Sequence, residues 1–440
     1  MSVFENLPFL VRALVLDYAI DSCSLFSEKL VFLSVCQSWR TAALASVYRI
    51  AHAKGARIAN RAANKPRYSV VWKTNIDLIA MTDSAASVRT MFVEVQRDHM
   101  LLDLANTLCQ TAMFRETPWP GIRRLCVVTH MHSVSLSDDE ADSDDEDVTD
   151  STNDVLKQAA DALIKCLPGV TEVEFNAGGC GLRHMCFCGH LASGYARQLA
   201  KVVGSSWVFL PLARSLDFLA VLDLDLSISF EPLFPRISPE RLRVMRLKNT
   251  PPFFSWGVFG RPGSRDSEPV VFGSLVALEF HMNQHVLFED LSDFEEEYEF
   301  SGQVMFPKLQ TLCMKSWPRL GAHFGNCVFP QQMHRVVCFG STRAFAEITD
   351  MQPICIAECL DITATVNGYI DYEFSSIMEL YAVQGKRAPR RVELTLENTF
   401  EEVGPRLLSW TAVTRLGLQS AGFDQLLLLL RHLTRLDRLD

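Results

Sequence analysis

Along most of the chain, apolar residues recur in a six-residue pattern, in which one apolar residue is followed by others three and five positions later. The last two have the spacing of a strand that turns one face toward a core. Clear copies lie at Val88, Met91 and Val93; Ile122, Leu125 and Val127; Val170, Val173 and Phe175; Leu219, Leu222 and Leu224; Leu242, Met245 and Leu247; Leu275, Leu278 and Phe280; and Leu309, Leu312 and Met314. Further copies lie at Val392 and Leu394 and at Val413, Leu416 and Leu418, and weaker ones at Val336 and Cys338, at Leu360 and Ile362, and at Leu433, Leu436 and Leu439.

The spacing of these copies suggests a repeat. Many intervals lie near 24 residues or near twice that number, and the segments "DHMLLDLANTLCQTAMF", "DVLKQAADALIKCL" and "FDQLLLLLRHL" between copies have helical spacing. A unit of one strand and one return, repeated every 20–29 residues, resembles the leucine-rich repeat. We therefore expect an α/β fold with parallel strands along one side of a curved solenoid. An ordinary α/β domain with buried parallel strands is the alternative.

The first 50 residues instead predict three short helices. Pro8 suits the first turn of a helix, Ser27 is a candidate N-cap for a second, and a third runs from about Cys36 to Tyr48. One apolar face of the first helix consists of Leu10, Val11, Leu14, Val15 and Tyr18. Three such helices bury too little apolar surface to be stable alone, so the module must contact a neighbour or a partner.

The sequence of these helices resembles the F-box. The leucine–proline start and the later segment "LVFLSVCQSWRTAA" match that motif over about 45 residues of the chain. The resemblance implies docking on the small adaptor protein of a cullin-type ubiquitin ligase. It assigns this contact to Leu7, Pro8, Leu14, Leu30, Val35, Cys36, Trp39 and Arg40. A helical cap that covers one end of the solenoid is the alternative.

These patterns predict the organisation of the chain. We expect an F-box-like module at 1–50, first irregular repeats at 51–136, a disordered acidic loop at 137–154, and a leucine-rich-repeat solenoid at 155–440 with inserts at 249–270 and 286–303. An F-box followed by leucine-rich repeats is a familiar layout of ligase substrate receptors. Each half therefore supports the other by analogy.

Charge narrows the range of partners. The chain has 440 residues and a formal net charge of −10, and the segment Ser137 to Asp154 carries ten acidic residues without Lys or Arg. The rest of the chain is therefore close to neutral, which argues against a nucleic-acid partner. The acidic tract repels itself, which predicts a disordered solubilising loop. Its two "SDDE" sequences make Ser137 and Ser143 candidate phosphorylation sites for acid-directed kinases.

The start of the chain lacks the features of a secretory signal, and no apolar run approaches the length of a membrane helix. The 13 cysteines are scattered through apolar patterns, which is typical of reduced, buried thiols. We therefore expect a protein of the cytoplasm, the nucleus or both, with no membrane partner. The basic cluster Lys386 to Arg391 is either a nuclear import patch or a solvated turn.

One short segment is rich in metal-ligating residue types. It contains Cys180, His184, Cys186, Cys188 and His190. Zinc sites favour cysteines two to four residues apart together with a distant second pair, whereas Cys186 and Cys188 are separated by one residue and have no such pair. We expect no metal there, and instead a glycine-rich loop with its cysteines turned into the core. A metal site is the alternative.

The insert after the copy at Leu247 is rich in aromatic residues. Proline and glycine throughout "NTPPFFSWGVFGRPGSRDSEP" argue against regular structure. Phe253, Phe254, Trp256 and Phe259 are costly to leave in water, so they either fold back on the solenoid or bind a target protein. Among them, Trp256 is the first candidate for an interface anchor.

No phosphate-binding loop, nucleophile elbow or dinucleotide fingerprint is present in the sequence. We therefore expect a non-enzymatic substrate-recognition adaptor without a cofactor, in which the F-box docks the ligase and the repeats bind an unknown target. A repeat scaffold with a helical cap and no ligase role is one alternative. A hydrolase or metal enzyme that uses the segment from Cys180 to His190 is another.

Overall fold

The chain forms two compact units, Met1–Arg214 and Ser215–Asp440. The predicted division at residues 50, 136 and 154 stays a prediction. The structure, a computed structural model, describes residues 9–22, 31–32, 34–35, 37, 39–40, 43, 47–60, 67–76, 79, 85–95, 119–130, 150–178, 182–205, 215–226, 237–250, 254–259, 269–282, 302–316, 324, 326–341, 356–365, 391–397, 413–418 and 438–439.

The first unit combines helices with a mainly parallel sheet. Its longer helices are α1 (Phe9–Ser22), α2 (Asp150–Cys166) and α3 (Leu182–Tyr195), and a 3-10 turn spans Ala85–Ser87. Its described strands are β1 (Ile50–Asn60), β2 (Arg67–Thr74), β3 (Thr90–Val95), β4 (Arg124–His130), β5 (Glu172–Gly178) and β6 (Lys201–Ser205). They lie in the order β2-β1-β3-β4-β5-β6, and α2 and α3 supply the crossovers that parallel neighbours need.

The second unit contains two parallel sheets. The strands of the long sheet are β7 (Val221–Asp225), β8 (Val244–Thr250), β10 (Ala277–Met282), β12 (Thr311–Ser316), β14 (Gln332–Ser341), β15 (Ile356–Thr365), β16 (Arg391–Glu397), β17 (Val413–Leu418) and β18 (Arg438–Leu439). Those of the short sheet are β9 (Val270–Val271), β11 (Val304–Met305) and β13 (Cys327–Val328). Between β8 and β14 the strands alternate between the long and the short sheet along the chain. A 3-10 turn spans Trp256–Phe259.

The predicted apolar pattern is confirmed as strands in matching register. Leu125 lies beside Val173 in the first unit. Leu278 lies beside Leu312, and Leu312 beside Val336, in the second. All five side chains are buried. The fold is therefore α/β with mainly parallel sheets, and within each unit the equivalent residues of neighbouring strands stack in the core.

The strands of successive repeats also begin in the same way. The N–H groups of Val276 and Ala277 both donate to the carbonyl of Arg243, at 2.8 and 3.2 Å. The same bifurcated arrangement joins Arg89 and Thr90 to Arg49, Arg123 and Arg124 to Arg89, Thr171 and Glu172 to Arg123, Ala200 and Lys201 to Thr171, Arg243 and Val244 to Ala220, Gln310 and Thr311 to Val276, and His334 and Arg335 to Gln310. The repeat seen in the sequence is thus repeated in the backbone.

A further apolar position precedes the predicted pattern by three residues. At this position the carbonyl accepts a hydrogen bond from the N–H of the pattern's first residue, at 3.3–3.5 Å, and the side chain is buried. The residues concerned are Trp119, Leu167, Leu216, Phe272 and Phe306. In these five repeats the motif therefore extends over nine residues, and the backbone carbonyl of its first residue closes the turn that precedes the strand.

The expectation that the strands are all parallel is wrong at one edge. Strand β2 pairs antiparallel with β1, while β1 pairs parallel with β3. Only residues 61–66 connect β1 to β2, which is too short for a parallel crossover and suits a hairpin. The sequence of β1, "IAHAKGARIAN", has weak strand propensity, which is why the apolar pattern missed it.

The predicted acidic loop at 137–154 is wrong at its C-terminal end. Helix α2 begins at Asp150, four residues before the predicted start near Asp154. Ser151, Thr152 and Asn153 are good residues for a helix start, and carboxylates are stabilising in a first turn. Residues 131–149 lie outside the described part of the chain, as do the predicted helical segments at 98–114 and 423–433.

Candidate functional sites

Helix α1 carries a row of apolar side chains that face solvent. Val11, Leu14, Val15 and Tyr18 are 40, 68, 46 and 82% exposed, and their spacing of three and four residues places them on one face. The opposite side contains Leu16 and Ile20, which are fully buried. The predicted apolar face of this helix therefore exists, but it does not contribute to the core.

The apolar exposure continues beyond α1. Val31 and Val35 are 59 and 54% exposed. We refer to these two side chains and the four exposed ones of α1 together as the N-terminal apolar surface. A row of exposed apolar side chains such as that of α1 is typical of an interaction surface.

The other residues assigned to F-box docking are described in part. Trp39 is helical and half-buried, and its ring stacks on Phe32 at 6.2 Å between centroids. Arg40 is helical and exposed. Leu7, Pro8, Leu30 and Cys36 lie outside the described residues. Gln37, Ala43 and Val47 are also helical, and the three-helix module stays a prediction.

The aromatic insert is not a free loop. Trp256 is 3% exposed, and Phe254 and Phe259 are also buried. This burial supports the alternative in which the insert folds back on the solenoid, and target binding by these side chains stays a prediction. Part of the insert is regular, because Trp256–Phe259 forms a 3-10 turn despite its glycine. Phe253 lies outside the described residues.

The reason for this burial is an aromatic cluster in the second unit. Six phenylalanine rings have their centroids 5.3–6.3 Å from the centroid of the Trp256 ring. They belong to Phe254, Phe259, Phe272, Phe280, Phe306 and Phe324. Several of these pairs are edge-to-face, which is a favoured arrangement of aromatic rings. Phe272 and Phe306 come from the turn position described above, so the insert fills space between successive repeats.

The cysteine-rich segment is helical, so the expected glycine-rich loop is wrong. His184, Cys186, Cys188 and His190 all lie in α3. Cys188 is buried, as expected for a core thiol, whereas Cys186 and His190 are half-buried and share a face at i and i+4. Burial raises the pKa of the Cys186 thiol. Burial also lowers the pKa of His190, and the charge of Lys157 lowers it further. Cys180 lies outside the described residues.

A ladder of charged residues crosses the polar face of the long sheet in the second unit. Asp223 accepts from Arg246 at 3.4 Å and from Lys248 at 2.9 Å, and Arg246 Nε contacts Glu279 Oε2 at 3.1 Å. Asp225 accepts from Asn249, which has a left-handed φ of 52° at the end of β8. Acidic and basic residues thus alternate from β7 to β8 to β10.

At the end of this ladder, three metal-ligating side chains lie together. The ligand atoms of Glu279, His281 and Cys313 all lie within 4.8 Å of one another, and all three side chains are half-buried. Glu279 and His281 lie on one face of β10, and Cys313 lies beside Glu279 on β12. Burial, with the neighbouring charge of Lys315, lowers the pKa of His281. We call this group the β10–β12 triad.

The sequence reasoning missed this ladder, although its signal was present. Each of the strands β7, β8, β10 and β12 has two polar positions that alternate with its apolar ones. The first of these positions holds Asp, Arg, Glu and Cys in strand order, and the second holds Asp, Lys, His and Lys. The predictions from the apolar pattern did not include these residues. Only the register between strands brings the two rows together.

A related pair lies in the first unit. Cys126 on β4 lies beside Glu174 on β5, with Sγ 3.8 Å from Oε2, and Arg124 forms an ion pair with the same carboxylate. Burial raises the pKa of Cys126 to about 11. The residue two positions after Glu174 is Asn176, so this pair lacks the histidine of the β10–β12 triad.

Two expectations remain untested by this geometry. The candidate phosphorylation sites Ser137 and Ser143 lie outside the described residues, as do residues 386–390 of the basic cluster.

Within the described helices, none combines the length and the apolar character required to cross a membrane. Compared with models of known protein families and with curated proteins, the chain gives no match.

Proposed function

We propose that this chain is the substrate-recognition adaptor of a cullin-type ubiquitin ligase. Its N-terminal helices dock on the small adaptor protein of the ligase, and its repeats, arranged as a leucine-rich-repeat solenoid, bind a target protein in the cytoplasm or nucleus. The proposal rests on the F-box-like residues of the sequence. The observation that supports it is the N-terminal apolar surface.

The exposure of this surface has an energetic consequence. Full burial of a large apolar side chain contributes about 1.5–3 kcal/mol, and α1 leaves Leu14 and Tyr18 largely in water. A helix that only capped the repeats would turn such residues inward. Leu16 and Ile20 already attach α1 to its own unit, so the exposed row remains available for a partner.

The proposed mechanism is proximity and forms no covalent bond in this chain. A target held on the repeats has a high effective concentration near the activated ubiquitin. Because the aromatic insert is buried, we assign target binding to the polar face of the long sheet, where Asp223, Arg246 and Glu279 alternate in charge. Such a face favours a partner with complementary alternating charges.

Binding of the purified full chain to the purified small adaptor protein tests the docking. We expect a complex with the wild type that is lost in the double variant Leu14→Ser/Tyr18→Ser, because two exposed anchors are removed without disturbing the core. Phe218→Ser is the matched control, since Phe218 is 52% exposed in the second unit and should leave binding unchanged.

Two results would contradict the proposal. One is the absence of a complex with the folded wild type, which would favour a repeat scaffold without a ligase role. The other is equal binding by the wild type and the double variant, which would place the contact away from α1. Circular dichroism of each variant confirms that the fold is retained.

A further inference from the structure

We propose that Glu279, His281 and Cys313 bind a divalent transition-metal ion of the zinc class. The inference does not rest on docking by the N-terminal helices, although the triad lies on the polar face to which we assign target binding.

The sheet places these ligands by its own geometry. Residues two apart on a strand share a face, so Glu279 and His281 point to the same side of β10. The parallel register sets Cys313 of β12 directly beside Glu279. The three ligand atoms already lie within 4.8 Å of one another. In a tetrahedral site with bonds of 2.0–2.3 Å, ligand atoms lie roughly 3.3–3.8 Å apart, so small side-chain adjustments suffice.

The imidazole of His281 faces the carboxylate of Glu279 from a buried position. Nε2 lies 2.8 Å from Glu279 Oε1 and has no other polar partner among the residues that the structure describes. A buried polar atom needs partners to offset its desolvation. A metal ion coordinated by both atoms would bind this nitrogen and the carboxylate together.

The surroundings of the triad orient the ligands. Arg246 Nε holds Glu279 Oε2 at 3.1 Å, which leaves Oε1 on the side of His281. Lys248 is held by Asp223 at 2.9 Å. Hydrogen bonds that fix the second oxygen of a ligating carboxylate are a common feature of metal sites.

The donor set selects the class of ion. Oxygen, nitrogen and sulfur donors together suit Zn²⁺ or Co²⁺, whereas Mg²⁺ and Ca²⁺ require oxygen ligands. A carboxylate and a thiolate together balance the charge of a divalent ion. Three protein ligands leave a fourth position for water or for a group of a bound target. The opposing feature is the positive charge of Lys315, which should weaken the affinity.

Titration of the metal-free full chain with Co²⁺ tests the site. Co²⁺ gives a near-ultraviolet charge-transfer band when a thiolate coordinates it, and visible bands that report tetrahedral geometry. We expect one equivalent to bind with both features. Cys313→Ser should abolish the charge-transfer band, and His281→Ala should weaken binding by about tenfold or more.

Two further variants sharpen the test. Cys126→Ser is the matched control, because Cys126 lies beside Glu174 in the same cross-strand arrangement but without a histidine, and it should leave the spectrum unchanged. Lys315→Met should tighten Co²⁺ binding severalfold, since it removes a repelling charge from an exposed side chain.

The proposal fails if excess Co²⁺ produces no charge-transfer band with the wild type. It also fails if the band persists in Cys313→Ser, because the thiolate would then belong to another site, or if Lys315→Met loses the band. None of these measurements involves the ligase adaptor, so this failure is distinguishable from that of the proposed function.

Discussion

The aromatic insert and helix α1 both carry several large apolar side chains, but these side chains lie in opposite environments. Trp256 and its neighbours Phe254 and Phe259 are buried, whereas Leu14 and Tyr18 of α1 are 68 and 82% exposed. From the sequence alone, both segments were candidates for partner binding. Their comparison shows that apolar content alone does not identify a binding surface.

The difference follows from what surrounds each segment. The insert follows β8, and repeats on the C-terminal side supply the rings of Phe272, Phe306 and Phe324 for Trp256 to contact. Helix α1 contributes only one side, with Leu16 and Ile20, to its own unit. An apolar segment inserted between repeats becomes core, while an apolar face outside them stays exposed unless a partner covers it.

The largest effect is expected from Trp256→Ala. Removal of a buried aromatic side chain typically lowers the free energy of unfolding by about 3–5 kcal/mol, and Trp256 contacts six other rings. Denaturant unfolding monitored by circular dichroism measures the change. A loss below about 1 kcal/mol would mean that the insert is not core and would remove the contrast with α1.

The same region should respond to pH through Cys327, which lies in β13 between Phe324 and Phe329. Burial raises the pKa of its thiol above the ordinary value of 9.0, so the folded chain holds this proton more tightly than the unfolded chain. The stabilisation is full below about pH 9 and decreases as the pH rises further. We expect the thermal unfolding midpoint to stay constant up to about pH 9 and to decrease as the pH is raised further.

Cys327→Ala isolates the contribution of that thiol. The variant should lose part of the alkaline decrease, while Cys186→Ala, which removes a half-buried thiol in the first unit, should lose less of it. An identical decrease in the wild type and in Cys327→Ala would show that this thiol is accessible to water, and hence that the short sheet does not seal the aromatic cluster.

Much of the fold could be predicted from sequence because one physical signal dominates it. Residues such as Leu222, Leu278 and Leu312 must all face the same core, so their spacing repeats along the chain. Strand β1 was not predicted because its alanine-rich sequence has weak strand propensity and is stabilised by pairing with strands on both sides. The turn residues Phe272 and Phe306 were visible in the sequence but fell outside the six-residue pattern.

The candidate sites were less predictable, because they depend on contacts between distant residues. Cys313 follows Glu279 by 34 positions and lies beside it only because β10 and β12 pair in this register. No local motif in the sequence predicts the pair. The segment from Cys180 to His190 contains more potential metal ligands than the strands of the triad. Helical geometry nevertheless puts Cys186 and Cys188 on different sides of α3. Local spacing predicts a metal site only when one element or loop supplies the ligands.

A smaller effect is expected from Phe259→Leu, which tests how tightly the insert is packed. Leucine keeps the site apolar but loses the edge contact with Phe272, whose centroid lies 5.3 Å away. We expect the free energy of unfolding to fall by about 1 kcal/mol, less than for Trp256→Ala. Denaturant unfolding of both variants under one condition gives the ratio. An equal loss would indicate that the cluster acts as a single unit instead of a sum of ring contacts.

The smallest effect is expected at the opposite end of the comparison, for Tyr18→Ser in α1. Tyr18 is 82% exposed, so the change removes little buried area and should alter the free energy of unfolding by less than about 0.5 kcal/mol. Leu16→Ala is the matched control on the same helix, because Leu16 is buried and its truncation should cost about 2–5 kcal/mol. If Tyr18→Ser destabilised the isolated chain as much as Leu16→Ala, the outer face of α1 would belong to the core, and the difference between α1 and the insert would disappear. A small effect on folding, combined with loss of adaptor binding in Leu14→Ser/Tyr18→Ser, would instead assign the exposed row to a partner.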